Sequence, residues 1–383
     1  MLDFDLTEDQ NILRQTIRSF AEKEIAPVAG ELDEKGEFSV DLTRKMADLG
    51  LFGAFVSEEY GGPNMGYLSY IIAVEEIARV DGSQAATVAA GNSLGIGPIY
   101  YFGSDEQKKE WLPRLCAGEI LAAFGLTEPN AGSDAGGSKT RAELIDGEWV
   151  INGSKIFITN STSEMAGVVV VQAITGTRPD GRNEMSCILV PKDTPGYRAV
   201  TMHGKMMWRA SDTGELYFED CRVPESNLLG KRGDGFKQML ATLDGGRLSI
   251  GAMGLGGAQG AYEAALKYAG EREQFGQPIS KFQANAFKLA DMATEIEAAR
   301  CLLYKATWLR ENKRPFSKEA AMAKLYCSEV MSRVADQAVQ IHGGYGLMKE
   351  YPVERFYRDQ KLLEIGEGTS EIQRLVISRL IGC

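Results

Sequence analysis

The period of the apolar residues changes twice along this chain, so no fold built on a single repeating pattern can accommodate it. Residues 1–122 carry helical spacing. Thr7 and Gln10 form a capping box ahead of Ile12, Leu13, Ile17, Phe20 and Ile25, and Pro27 is expected to close that run. "GYLSYIIAVEEIARV" (66–80) is apolar on most sides, as a buried helix is, and Ser104 with Gln107 opens another helix. Near residue 123 the texture turns to strands. "LIDGEWVING" sets Asp146-Gly147 between two β-rich runs, which predicts a two-residue hairpin. "VVVVQAI", "MSCILV", "GYRAVTM" and "GELYFEDCRV" follow at strand length. From about 235 the helical period returns in long stretches. The expected order is a helical domain over 1–122, a β domain over 123–234 and a second helical domain over 235–383, an α+β multi-domain chain.

At 383 residues the chain has room for two or three domains, or one large composite. A formal charge of −11 argues against a nucleic-acid binder, which needs a basic face for phosphates, but leaves room for a local basic pocket. The six cysteines lie far apart with no CxxC pair, so neither a zinc site nor a disulfide framework is signalled, and reduced thiols are expected. "MLDFDLTEDQ" lacks the apolar core of a secretory signal, and no apolar run approaches the ~20 residues that span a bilayer. A soluble protein without membrane insertion is expected.

Several loops carry more chemistry than a connection needs. "GLTEPNAGSDAGG" (125–137) pairs tight-turn residues with the hydroxyls of Thr127 and Ser133, which suits a polar ring edge or a phosphate; an ordinary turn is an equal reading of the same residues. "TLDGGRLSIGAMGLGGAQG" (242–260) places adjacent glycines in a helical context at a cost of roughly 1 kcal/mol each, so either something approaches that backbone or the helix breaks. Asp244 and Arg247, spaced i,i+3, share the face beside those glycines, as a surface ion pair also would. The cluster fails the GxGxxG pattern and follows no strand, which rejects a dinucleotide fingerprint. "EREQFGQPISKFQ" (271–283) and "QIHGGYG" (340–346) are glycine turns between helices; His203 and His342 have no ligand cluster and read as structural.

"EIGEGTSEIQ" (364–373) holds three carboxylates. Ser370 with Gln373 is expected to cap a final helix, leaving Glu367 in the loop before it with its backbone freed by Gly366 and Gly368. A carboxylate near a helix N-terminus is often simple dipole complementarity, and Glu364 and Glu371 fit that description; locally, Glu367 fits it too.

The combination of "GLTEPNAGSD", "GSKIFITN", "REQFGQPI", "QIHGGYG" and "EGTSEIQR", in that order, resembles the flavin-dependent acyl-CoA dehydrogenases over essentially the whole chain. The resemblance implies an N-terminal helical domain, a middle β-barrel or sandwich and a C-terminal four-helix bundle. It implies FAD, held at a flavin loop by Phe124, Leu126, Thr127, Gly132 and Ser133, with Phe157, Ile158 and Thr159 behind the ring. Many relatives have tryptophan in place of Phe157. Arg272, Gln274, Phe275, Gln283, Gln340, Gly343 and Gly344 match positions that bind FAD across a dimer interface, and Thr369 and Glu371 match contacts to its pyrophosphate or adenosine. On the substrate side it implies Ser133 near the CoA arm, Asp244 and Arg247 on the CoA chain, Leu94 and Leu240 lining the acyl pocket, Gly366 and Gly368 flanking the base, and Glu367 as that base.

Dehydrogenating the α and β carbons of a thioester needs a base for one hydrogen and a hydride acceptor for the other, and no side chain accepts hydride. The weakly acidic α proton calls for donors on the carbonyl oxygen and a carboxylate whose pKa is raised by desolvation. Some relatives place the base where this chain has Gly246, which removes that option here. Gly366 stands where linear-chain relatives often carry an aromatic residue, so a short, branched or alicyclic acyl group is expected; Ala85-Ala86-Thr87 gives a glutaryl group no arginine. The resemblance further implies an electron-transferring flavoprotein as acceptor, a homotetramer built as a dimer of dimers, and a bacterial cytoplasm, or an organelle matrix for a processed chain. An acyl-carrier-protein-linked dehydrogenase and a non-catalytic flavin- or CoA-binding protein are the other readings; the chain's length argues against an oxidase.

Overall fold

The computed structural model describes residues 5–383; the first four residues of the acidic N-terminal stretch lie outside them. Helix α1 (Glu8–Phe20) starts as its capping box requires, Thr7 accepting from the Gln10 amide and the Gln10 side chain accepting from Thr7 N–H. Pro27 does not close the run. A π-turn over Ala21–Ile25 leads straight into α2 (Ala26–Lys35), and Pro27 occupies its first turn, where a missing N–H costs nothing. Then come α3 (Val40–Asp48), α4 (Tyr67–Ala78), α5 (Gly82–Ala90), α6 (Gly97–Phe102) and α7 (Asp105–Cys116), the last opened by the Ser104–Gln107 box. Every residue of α4 except Leu68 is buried, as its all-round apolar pattern demands.

The strands are β1 (Leu121–Gly125), β2 (Arg141–Ile145), β3 (Glu148–Thr159), β4 (Ala166–Thr177), β5 (Asn183–Pro191), β6 (Tyr197–Thr201), β7 (Thr213–Pro224) and β8 (Leu228–Leu229). They form one sheet in the order β6-β7-β3-β2-β4-β5-β8, with β1 parallel to β4. Asp146 and Gly147, both at positive φ, make the β2–β3 hairpin. The run 168–171 in β4 shows how the sheet joins the rest: Val168 and Val170 enter the helical core, while Val169 and Val171 face a separate core with Trp149, Ile151 and Phe218.

The remaining chain is α8 (Gly235–Glu271), the short hairpin β9 (Glu273–Gln274) and β10 (Gln277–Pro278), α9 (Gln283–Glu311), α10 (Ser317–His342), α11 (Val353–Ile365) and α12 (Ser370–Ile381). The paired glycines do not break α8, which runs unbroken for about 55 Å. They let other backbones in. A Cβ on Gly254 would lie 2.9 Å from the Cys327 carbonyl oxygen of α10, and one on Gly256 would lie 3.0 Å from the Glu75 carbonyl carbon of α4. Glycine here exchanges helix propensity for close crossings that bury α8 between two partners.

Candidate active site

Glu367 lies in the loop between α11 and α12, and the loop's geometry differs from the expectation. Glu367 itself is in the left-handed region (φ 52°), followed by Gly368 at φ 94°, whereas Gly366 at φ −67° has backbone angles any residue adopts. Thr369, not Ser370, caps α12, accepting from the Ile372 amide at 3.2 Å. Gln373 forms no capping box: its side-chain amide donates to the carbonyls of Glu367 (3.3 Å) and Gly368 (2.9 Å). Lys324 Nζ, from α10, donates to the Gly368 carbonyl at 2.7 Å. The strained turn is thus tied down from two helices, which is what keeps a left-handed glutamate in place.

Its carboxylate lies over Gly246 of α8. Oε2 is buried and has no hydrogen-bond partner among the described residues. Desolvation raises the Glu367 pKa to about 7, against the opposing pull of Lys324 and Arg247. Arg247 is buried and paired with Asp244, which also accepts from the Ser317 hydroxyl. The Arg247 end of the pair is therefore inside the protein, next to Gly246 on α8, with Asp244 half-buried beside it. Leu240, exposed, continues the same face one turn earlier; Leu94 is half-buried against the helical core.

The stretch 124–133 and the end of β3 form a second surface. The Leu126 carbonyl accepts from Lys155 Nζ (3.1 Å) and the Thr127 carbonyl from the Ile156 amide (2.9 Å). The Glu128 and Ala131 amides bond each other's carbonyls at 3.1 Å, so what the loop retains for a ligand is its remaining amides and the Thr127 hydroxyl. Glu128 anchors it from within, pairing with buried Lys155 at 2.8 Å and accepting from the amides of Lys139 (2.6 Å) and Thr140 (3.0 Å). A bulge in β3 then puts Phe157 at φ 61°, 63% exposed, between buried Ile158 and half-buried Ile156. A bulky residue in that conformation with its ring outward makes an apolar wall for a flat partner. Thr159 is half-buried behind it, Phe124 is buried in β1, and Gly132 and Ser133 lie exposed on the loop.

Residues 272–283 and 340–344 gather elsewhere. Arg272 sits over the Tyr345 ring at 5.7 Å, joining the two glycine turns, and Gln274, Phe275, Gln283, Gln340, Gly343 and Gly344 are all exposed around them. Arg272 follows α8 at the end remote from Gly246, roughly 39 Å along the helix axis. That distance separates this group from Glu367 of its own chain. His342 is buried nearby, Nδ1 2.8 Å from the Ala338 carbonyl and its ring stacked on Tyr268 at 4.3 Å. Among the described residues no group of three or more His, Cys, Asp or Glu is arranged to hold a metal.

The chain matches the family models described as acyl-CoA dehydrogenase N-terminal domain over 7–119, middle domain over 123–221 and C-terminal domain over 233–382. The chain belongs to the acyl-CoA dehydrogenase family. It is 54% identical to "Probable acyl-CoA dehydrogenase YngJ" of Bacillus subtilis (strain 168), covering 99% of each chain. Its fold superposes on butyryl-CoA dehydrogenase from Megasphaera elsdenii with a TM-score of 0.96 at 43% identity, covering 99% of this chain and 100% of that one. A chain from a structure described as an electron transferring flavoprotein of Acidaminococcus fermentans also gives 0.96, at 47% identity and 100% coverage of both. The enzyme is a flavoprotein oxidoreductase, and solved family members hold FAD or its reduced form. The outward Phe157 ring and the loop's uncommitted amides fit an isoalloxazine. No helix among the described residues is long and apolar enough to cross a membrane.

Three anchors escaped the sequence reading. Glu128 and Lys155 both lie inside the quoted motifs, and only Lys155, a charge leading into Ile156, Phe157 and Ile158, carried a signal. Lys324 stands between Ala320, Ala321, Ala323 and Cys327, a small-residue face that marks burial.

Proposed function

We propose that Glu367 is the base that removes the α proton of a short, branched or alicyclic acyl-CoA thioester. The observation that carries this reading is the Oε2 atom of Glu367, buried, unpaired and held near neutrality over Gly246. Bound FAD supplies the hydride acceptor for the β hydrogen. The chain's own part is to strip water from the carboxylate, aim it from a fixed turn, and present the Glu367 amide to the thioester oxygen where charge develops. Asp244 and Arg247 steady the CoA arm on the α8 face. Gly366 supports the short or branched group. Its backbone conformation does not require glycine, and the nearest atoms a Cβ there would meet belong to Leu362, at 3.3 Å and beyond, so the missing ring leaves room rather than making a turn. The similarity to a butyryl-CoA dehydrogenase points the same way. The structure described as an electron transferring flavoprotein supports such a protein as acceptor. The exposed 272–283 and 340–344 group supports a cofactor site shared between copies, as in the expected homotetramer.

Glu367→Gln should retain bound flavin and lose its bleaching by substrate; retained bleaching overturns the base. Bleaching rates with butyryl-, isobutyryl-, isovaleryl-, octanoyl- and cyclohexanecarboxyl-CoA test the acyl group, and a sharp preference for octanoyl refutes it.

A further inference from the structure

Lys324 has no exposed surface, yet among the described residues its ammonium forms no ion pair. Its single hydrogen bond goes to the Gly368 carbonyl. Gln373 already donates to that oxygen, so satisfying the carbonyl does not require a lysine. A buried ammonium without a direct counter-ion is costly, and burial lowers the Lys324 pKa to about 8. Nearby Arg247 adds to the cost, while Glu367 is the foremost of the groups that offset it, ahead of Glu364 and Glu371. Glu364 is itself engaged by Lys361, and Arg247 by Asp244. From α4, Tyr67 and Tyr70 lie within electrostatic range of Glu367, both kept neutral by burial.

We infer that Lys324 is a positioning residue for proton abstraction: it grips the carbonyl next to the base and keeps a positive charge beside the Glu367 carboxylate. The inference rests on Glu367 being the base. The grip limits how far the left-handed Glu367-Gly368 turn can swing, and the charge favours the ionised base in a site whose dryness opposes it. Without the charge, Arg247 alone opposes desolvation and the carboxylate holds its proton to higher pH.

Lys324→Met removes grip and charge together; Lys324→Gln keeps an N–H for the carbonyl and removes only the charge. The readouts are the pH dependence of flavin bleaching by butyryl-CoA, and isotope-edited infrared titration of the Glu367 carboxyl without substrate, assigned through Glu367→Gln. In both variants Glu367 should titrate higher by roughly one pH unit, and the acid limb of bleaching should move with it. Above that limb the Met variant should bleach about tenfold more slowly than the Gln variant. An unmoved titration in the folded Gln variant overturns the inference even where Glu367→Gln is inactive. Wild-type bleaching by Glu367→Gln would instead overturn the base assignment itself.

Discussion

Gly246→Ala places one methyl group where the Glu367 carboxylate now rests. An ideal Cβ at 246 would lie 2.7 Å from Glu367 Cδ and closer still to Oε2, whereas ordinary contact begins at 3.4 Å. The helix cannot yield, because its next turns are pinned against α4 and α10. The carboxylate must therefore retreat by about 1 Å, a misplacement that costs about a hundredfold in rate. Gly245→Ala is the internal control. Its Cβ meets the Arg310 guanidinium, the flexible end of a side chain, at 2.7 Å, so the neighbour can swing away. Both substitutions replace a glycine inside α8 and gain the same helix preference, about 1 kcal/mol. Stopped-flow bleaching by saturating butyryl-CoA should thus fall about a hundredfold for Gly246→Ala and stay near wild type for Gly245→Ala, with flavin retained in both. Equal rates in the two variants would refute the claim that Glu367 works from the space over Gly246.

The rate of flavin reduction should fall about tenfold for each pH unit below about 7, because abstraction needs the ionised form and the raised Glu367 pKa sets where that form is lost. A pH-rate profile whose acid limb sits near the ordinary carboxylate range would contradict the desolvated site. Glu128→Gln leaves buried Lys155 without its counter-charge beneath the 124–133 loop and should cost about 3–5 kcal/mol in urea unfolding while lowering bound flavin. Unchanged flavin content in that variant would remove the pair from any part in shaping the loop.

The helix–sheet–helix order was legible because apolar period is a local property, and the hairpin at Asp146-Gly147 followed from two residues alone. The end of the first helical run was not. Pro27 is a breaker in an interior but harmless in a first turn, and only the π-turn over 21–25 decides which applies. The same limit governed the C-terminal cap. Ser370 and Thr369 are both good cap residues one position apart, and the choice depends on a loop held by Lys324, 45 residues away in sequence from Thr369. The pairing of Glu128 with Lys155 was invisible for a related reason: it exists only once β3 passes under the loop.

Glu367 also explains why a loop, and not the helix face at 246, carries the proposed base in this chain. A carboxylate on α8 would have to share its space with one from the 367 loop, since even a methyl at 246 overlaps Glu367. The two positions exclude each other sterically, so a glycine at one is the condition for a glutamate at the other. Arg247 then lies on the adjacent position of α8 with Asp244 absorbing part of its charge, and Lys324 supplies the rest of the positive field from α10. Burial pushes the carboxylate towards its neutral form and two cations from two helices pull it back. The outcome is a base near neutrality, ionised often enough to act and still basic enough to take a carbon-bound proton.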